Sequence, residues 1–217
     1  MPYRQTDRTR ERLAARHGAI LGAARAIASE HGMAAVQIAS VAEGAGIAAG
    51  TVYRYFRSKA ELVEALVGAV AAAELEALRT AADAAPGPLS GLAAAVVTFS
   101  ARSLRQRQLV WAVMAEPIEA EVGRARLAFR AALRDEMRSR VAAAVATNQL
   151  ADTDSDLAAT ALVGALLEAL IGPLAANVRH DASAQREAVQ MVGLIALRAV
   201  GLADAHARGL IVQARWP

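Results

Sequence analysis

Cysteine is absent from the 217 residues, which excludes disulfides, thiolate zinc sites and thiol redox sensing and fits a reducing cytosol. Aromatic side chains make up only 4%, and few runs show the alternating, β-branched pattern of strands. What remains is 55% apolar residues, rich in alanine, which favours helix and buries little area per side chain. An all-α protein is expected. No apolar stretch follows the charged amino end, so a secretory signal is not expected and a cytoplasmic location is.

Enzyme-like constellations are missing too. His17, His31, His180 and His206 are scattered without metal-ligand spacing, and no serine or aspartate stands in a nucleophile motif. Gly44, Gly46 and Gly50 lie between helical segments rather than after a strand, unlike a dinucleotide loop. The expectation is a protein that is not an enzyme, with no catalytic residues, metal or cofactor. The acidic run Asp152 to Asp156 lacks the glycine and distant glutamate of a calcium loop and reads as helix capping.

Charge is unevenly distributed. Residues 1–60 hold eight arginines and Lys59, the chain's only lysine, against four carboxylates, a balance of +5; residues 61–217 carry −2. A cationic head on a slightly anionic body suits a polyanion-binding domain joined to a non-binding one. Arg4, Arg8, Arg10, Arg12 and Arg16 crowd the first sixteen residues; they could reach phosphates or a minor groove, or form a solvated tail.

The densest signal is Gly46 to Lys59, G-I-A-A-G-T-V-Y-R-Y-F-R-S-K. Before it, Ile38, Val41, Ala42 and Ala45 recur at helical spacing from Gln37 to Ala45, and Gly46 supplies a turn. A second helix, expected from about Ala48 to Phe56, lays Val52 and Phe56 against the first. At about 100° per residue, Gly50, Thr51 and Arg54 fall on its far side, with Tyr53 and Tyr55 on the flanks. This face offers an arginine fork for guanine edges or phosphate, a threonine for a base, and phenols for phosphate oxygens. Ser58 and Glu61 form a capping box for the next helix. Lys59, a cation at that helix's N-terminus, then suits a phosphate, unless it is simply solvated.

From about Ala24 to Leu66 the chain resembles the DNA-binding domain of the TetR family of bacterial transcriptional regulators. The likeness is carried by Gly32, Val41-Ala42, Ala45-Gly46-Ile47, Gly50-Thr51-Val52-Tyr53, Tyr55-Phe56, Ser58-Lys59 and Leu62. The resemblance implies a three-helix helix-turn-helix domain over 1–58 and a helical ligand-binding and dimerisation domain over 59–217. It also implies DNA contacts from Gln37, Ala48, Ala49, Gly50, Thr51, Tyr53, Arg54, Tyr55 and Lys59. Gln37 and Ala48 stand where Thr and Ser usually cap the two helices, and Ala39 replaces a common polar contact. Each lost cap costs on the order of 1 kcal/mol, so more of the binding is expected from Arg54, Arg57 and the basic arm.

Along the rest of the chain, Asp7 is expected to cap a first helix ending near His31, with Leu13, Ile20, Ala24 and Ile27 facing inward and Gly32 closing it. A helix from Ala60 to Asp83 leaves the head and breaks at Ala85-Pro-Gly-Pro88. Further helices are expected over 89–104, 106–115, 118–148 with Pro117 at its start, 155–177 and 183–202; the segment after Gly201 carries no assignment.

The last two helices are apolar around much of their circumference through Leu157, Ala161, Gly164, Ala165, Leu167 and Leu170, and through Val189, Val192, Leu194, Ile195 and Leu197. Such helices must be buried. Glu168 and Pro173 argue against a membrane, leaving a second copy as the cover, which matches the four-helix dimer interface of the family. Candidate effector-binding residues are Phe99, Trp111, Met114, Phe129, Met137 and Glu168. Their alternatives are core filling for the apolar ones and an arginine partner at the dimer seam for Glu168. Arg102, Arg105, Arg130 and Arg134 are candidates for an anionic ligand or for solvated helix faces.

The expectation that unites these readings is a homodimeric transcriptional repressor on a double-stranded, palindrome-like operator, released by a small-molecule effector. The alternative is a helical sensor or interaction module that has lost specific DNA binding, as the alanines at 39 and 48 would suggest.

Overall fold

The computed structural model describes residues 3–116, 123–179 and 181–216, with side chains from residue 9 onward. Among these it contains helices and no strand: α1 (Tyr3–His31), a 3-10 turn (Met33–Ala35), α2 (Ile38–Gly44), α3 (Ala49–Tyr53), α4 (Lys59–Asp83) and α5 (Pro88–Arg105) come first. There follow α6 (Arg107–Met114), α7 (Gly123–Ala146), α8 (Ser155–Leu170), α9 (Ala182–Ala199) and α10 (Asp204–Gln213). The all-α expectation holds.

In the head, Ile20, Ala24 and Ala28 of α1 repeat every four residues and are fully buried, which lays one helical stripe over α2 and α3. Val41, Ala42, Val52 and Phe56 close the other side. Three details differ from expectation. Asp7 lies within α1, which begins at Tyr3, so it is not the cap. Leu13 projects outward and Ile27 is half-buried, because the packed stripe starts only at Ile20 and then runs through Ala24 and Ala28. Gly32 does close the helix, at φ 81°, a backbone conformation that glycine adopts without steric cost.

The body is organised around α5, which is buried at every residue from Gly91 to Ala101; α4, α7, α9 and α10 all pack against it. Alanines and valines at these positions let helices approach on all sides. Pro88 occupies the first turn of α5, where its missing N–H leaves no hydrogen bond unmade. Between α4 and α5, the Arg102 guanidinium grips the buried Glu74 carboxylate through two bonds of 2.7 and 2.8 Å. That hydrogen bond raises the Arg102 pKa above its ordinary value. Arg102 is therefore committed within the fold rather than offered to an anionic ligand. Exposed Arg134 likewise pairs with Asp135 at 2.7 Å.

Two helix ends correct the sequence reading. α8 stops at Leu170 instead of running to Asn177, since Gly172 and Pro173 enter a turn in which the Leu167 carbonyl accepts from both Ile171 and Gly172. The unassigned tail folds as α10, with Asp204 in its first turn. Asp154 caps α8 by accepting from the amides of Asp156 and Leu157, both at 3.0 Å, which is the capping role expected of that acidic run. Pro117, the expected start at Ile118 and His180 lie outside the described residues. Among those described, no helix is long and apolar enough to cross a membrane.

Candidate nucleic-acid interface

The turn between α2 and α3 is built by Gly46 at φ 64°, followed by an Ile47 amide that returns to the Ala42 carbonyl at 2.9 Å. Gly46 tolerates this left-handed backbone, and the return bond sets the second helix across the first. Neither Gln37 nor Ala48 supplies a side-chain cap; the Gln37 amide nitrogen instead donates to the Ala34 carbonyl at 2.8 Å.

α3 spans only Ala49 to Tyr53, shorter than the expected Ala48–Phe56. After Tyr53 the Arg54 and Tyr55 amides bond to the carbonyls of Thr51 and Val52, a tightening to three-residue spacing that ends the helix. The face therefore differs from the one drawn at 100° per residue. Tyr53 projects outward at 53% exposure, whereas Tyr55 is half-buried against the core. Ala48, Ala49, Gly50 and Arg54 are exposed with Gln37, and Thr51 and Lys59 are half-buried.

Arg12 and Arg16 lie in α1, as the expected first helix requires, and they line an open groove of about 750 Å³ with Thr51, Arg54 and Tyr55. Among the described residues, no carboxylate lines this groove, and none of Arg12, Arg16 and Arg54 forms an ion pair. The signal for this was present: Arg12 and Arg16 are four apart, hence on one helix face. For Arg4 and Arg8 the backbone is helical, and their side chains lie outside the described set. His17 packs its ring 5.0 Å from Phe56, tying α1 to the segment between α3 and α4.

The following helix is anchored much as the capping box required. Ser58 Oγ accepts from the Glu61 amide at 3.1 Å, while the Glu61 carboxylate takes the Arg57 amide at 2.6 Å, one residue earlier than expected. Lys59 thus begins α4 directly beside the helix-turn-helix pair.

A second set of contacts, unseen in the sequence, fixes the head to the body. Glu116 accepts from the amides of Met33 (2.7 Å) and Ala34 (3.1 Å), and Gln108 donates to the Glu30 carbonyl at 2.9 Å. Arg126 holds the end of α6 by donating to the carbonyls of Ala112, Val113 and Glu116 at 2.6–2.7 Å. Burial lowers the Arg126 pKa, and the nearby Glu116 charge opposes that shift.

The effector candidates are not brought together around one opening. Phe99, Met114, Phe129 and Met137 are buried in the common core, the core-filling alternative. Trp111 lines a shallow groove with Arg107, Gln108 and Pro173. Glu168 is exposed and accepts from the Leu174 amide at 3.4 Å.

Residues 20–66 match the family described as bacterial regulatory proteins, tetR family. The head of this chain thus matches the TetR family. The HTH-type transcriptional repressor KstR of Mycolicibacterium smegmatis is 53% identical over 49 residues, which cover 23% of this chain and 24% of that protein. KstR2 of Mycobacterium tuberculosis is 38% identical over 61 residues, covering 28% and 30%. The chain thus matches less than a third of the length of these curated relatives.

Solved structures extend the likeness in fold to the body. RolR without ligand superposes with a TM-score of 0.64 at 24% identity, covering 89% of this chain and 95% of that one. FadR from Bacillus subtilis in complex with stearoyl-CoA superposes with 0.69 at 16% identity, covering 84% and 97%.

Proposed function

We propose that this chain is a cytoplasmic transcriptional repressor, not an enzyme. It binds double-stranded DNA as a homodimer through residues 1–58 and is released by a small molecule held in residues 59–217. The observation that carries the reading is the groove in which Arg12 and Arg16 of α1 stand beside Thr51 and Arg54, with no carboxylate among its described residues and Tyr53 projecting next to it. Three guanidiniums on one concave edge suit a phosphate backbone, and the exposed backbone at Ala49 and Gly50 lets α3 approach base edges. The proposed contacts run from Gln37 through Ala48–Tyr55 to Lys59.

The surfaces of α8 and α9 support the homodimer. Leu157, Ala161, Gly164 and Ala165 of α8, and Met191 (59% exposed) and Ile195 (56%) of α9, leave apolar surface uncovered on two adjacent helices. A two-fold partner on this face would bury it, and would present two copies of α3 about 34 Å apart, one turn of a palindrome-like operator. The regulators RolR and FadR were solved with resorcinol and stearoyl-CoA, which supports a ligand-responsive body here. A ligand releases DNA only through a difference in affinity for the two arrangements.

The test is a titration of the protein against the duplex upstream of its own gene and a shuffled duplex of equal composition, at several salt concentrations. Tight, site-selective and salt-sensitive binding is expected; equal affinity for both duplexes would reject the reading.

A further inference from the structure

The effector site of the proposed regulator need not be sought among the bulky residues of the core, because a larger opening lies elsewhere. A cavity of about 650 Å³ runs between the last turns of α4, one face of α5, and α10 with its following residues. That volume is within the usual span for small-molecule sites, about 300–1,000 Å³. Its walls are small: Ala77 and Ala81 on α4 and Ala94 on α5 leave the room. Trp216 closes one side and is itself held under the Arg186 guanidinium of α9, 5.7 Å from the ring centre.

One group in this cavity points to an occupant. Thr98, 2% exposed, lines it, and the Thr98 hydroxyl, like those of Ser100 and Ser103 on the same helix, has no hydrogen-bond partner among the described residues. A buried hydroxyl left unpaired is costly, and within a helix it ordinarily turns back to a carbonyl of the preceding turn. No such bond forms to Ala94 here. The remaining polar lining is Thr80, Ser90, Gln213 and Arg215, with no carboxylate among the described residues.

We infer that this α4–α5–α10 cavity is a ligand site for an apolar molecule bearing a hydroxyl or carbonyl oxygen, which the Thr98 hydroxyl recognises and Trp216 covers. The inference rests on the repressor reading for its regulatory meaning. The occupant would press on Ala77 and Ala81, near the far end of the single helix that begins at Lys59 beside the DNA face. It would also meet Trp216, whose partner Arg186 lies on α9, one of the two helices proposed to form the dimer.

The test uses the full chain carrying Trp111→Phe, so that Trp216 is the remaining one of the two tryptophans, and 1-decanol as the probe. Saturable change in Trp216 emission is expected. Ala81→Phe, which fills the cavity, is expected to abolish it with helix content unchanged, and Thr98→Val to weaken 1-decanol binding about fivefold, the loss of one hydrogen bond. Without 1-decanol, Thr98→Val should melt no lower than its parent. Absence of saturable binding, binding that persists in Ala81→Phe, or a lowered melting temperature for Thr98→Val would each overturn the site. DNA binding by the same proteins is measured separately. A chain that takes 1-decanol as described but ignores its upstream DNA keeps the ligand site and loses the repressor reading.

Discussion

The Glu116 carboxylate accepts the Met33 amide at 2.7 Å, fastening the segment after α6 to the turn after α1. With the Ala34 bond it satisfies two free donors at the start of a 3-10 turn, and Arg126 holds the other end of the clip. Gly32 leaves the space: a Cβ there would sit 3.0 Å from Glu116 Oε2. The clip thus joins the end of α6 to α1, which packs on α2, and α2 in turn packs on α3.

Glu116→Ala is expected to lower stability by about 1.5–3 kcal/mol, the range for hydrogen bonds to a charged group, as read by urea denaturation. It should also shrink the effect of any effector on DNA affinity while leaving effector binding itself intact. Undiminished coupling in this variant would show that the signal travels by another route.

On the DNA face, Arg54→Ala and Tyr53→Ala are expected to weaken operator binding about tenfold or more, from about 1–3 kcal/mol per specific contact, with unchanged melting temperature. Tyr55→Phe should weaken binding too if the phenol reaches phosphate from its half-buried position. Arg12→Ala is expected to weaken all duplexes alike and to reduce the salt slope by about one. Wild-type affinity in Arg54→Ala and Tyr53→Ala together would displace the interface from α3.

Ile195→Glu places a charge in the apolar face shared by α8 and α9. Sedimentation is expected to show a dimer for the parent and a monomer for the variant at micromolar concentration, with operator binding lost in parallel. A monomeric parent would remove the two-helix geometry.

Acid should loosen the carboxyl-terminal helices first. The Ala184 amide, then Arg179, hold the Asp181 carboxyl below its ordinary value, and the Arg208 hydrogen bond does the same for Asp204. Folding therefore favours their ionised forms: the benefit is complete above the ordinary value near 3.8 and disappears as pH falls through the lower folded values. Protection of the amides in the first turns of α9 and α10, taken relative to their intrinsic exchange rates, should fall as pH drops below 3.8 in the parent and show no such fall at α9 in Asp181→Asn. A fall at α9 that persists in Asp181→Asn would contradict the assignment.

Much of the helical plan was legible because it is local. Ser58 and Glu61 mark the start of α4, Gly32 and Gly46 mark turns, and Pro88 marks the start of α5. The residues of the proposed DNA face stood out in composition but their directions did not, because the 100° rule fails where the chain leaves helix after Tyr53. The body was harder. Alanine-rich helices share one pattern on every face, so Thr98 and Ala81 at the cavity look no different from core positions, whereas Phe99 and Met137 stand out and are merely packed. The Glu116 clip joins residues more than eighty apart, and only the tertiary arrangement brings them together.

The most direct measurement of the central claim is a hydroxyl-radical footprint of the full-length protein on the duplex upstream of its gene. Two protected stretches on one face of the DNA, centred about 10 base pairs apart and both lost in Arg54→Ala, are expected. Uniform protection that appears only at non-specific concentrations, or protection that survives Arg54→Ala, would contradict it.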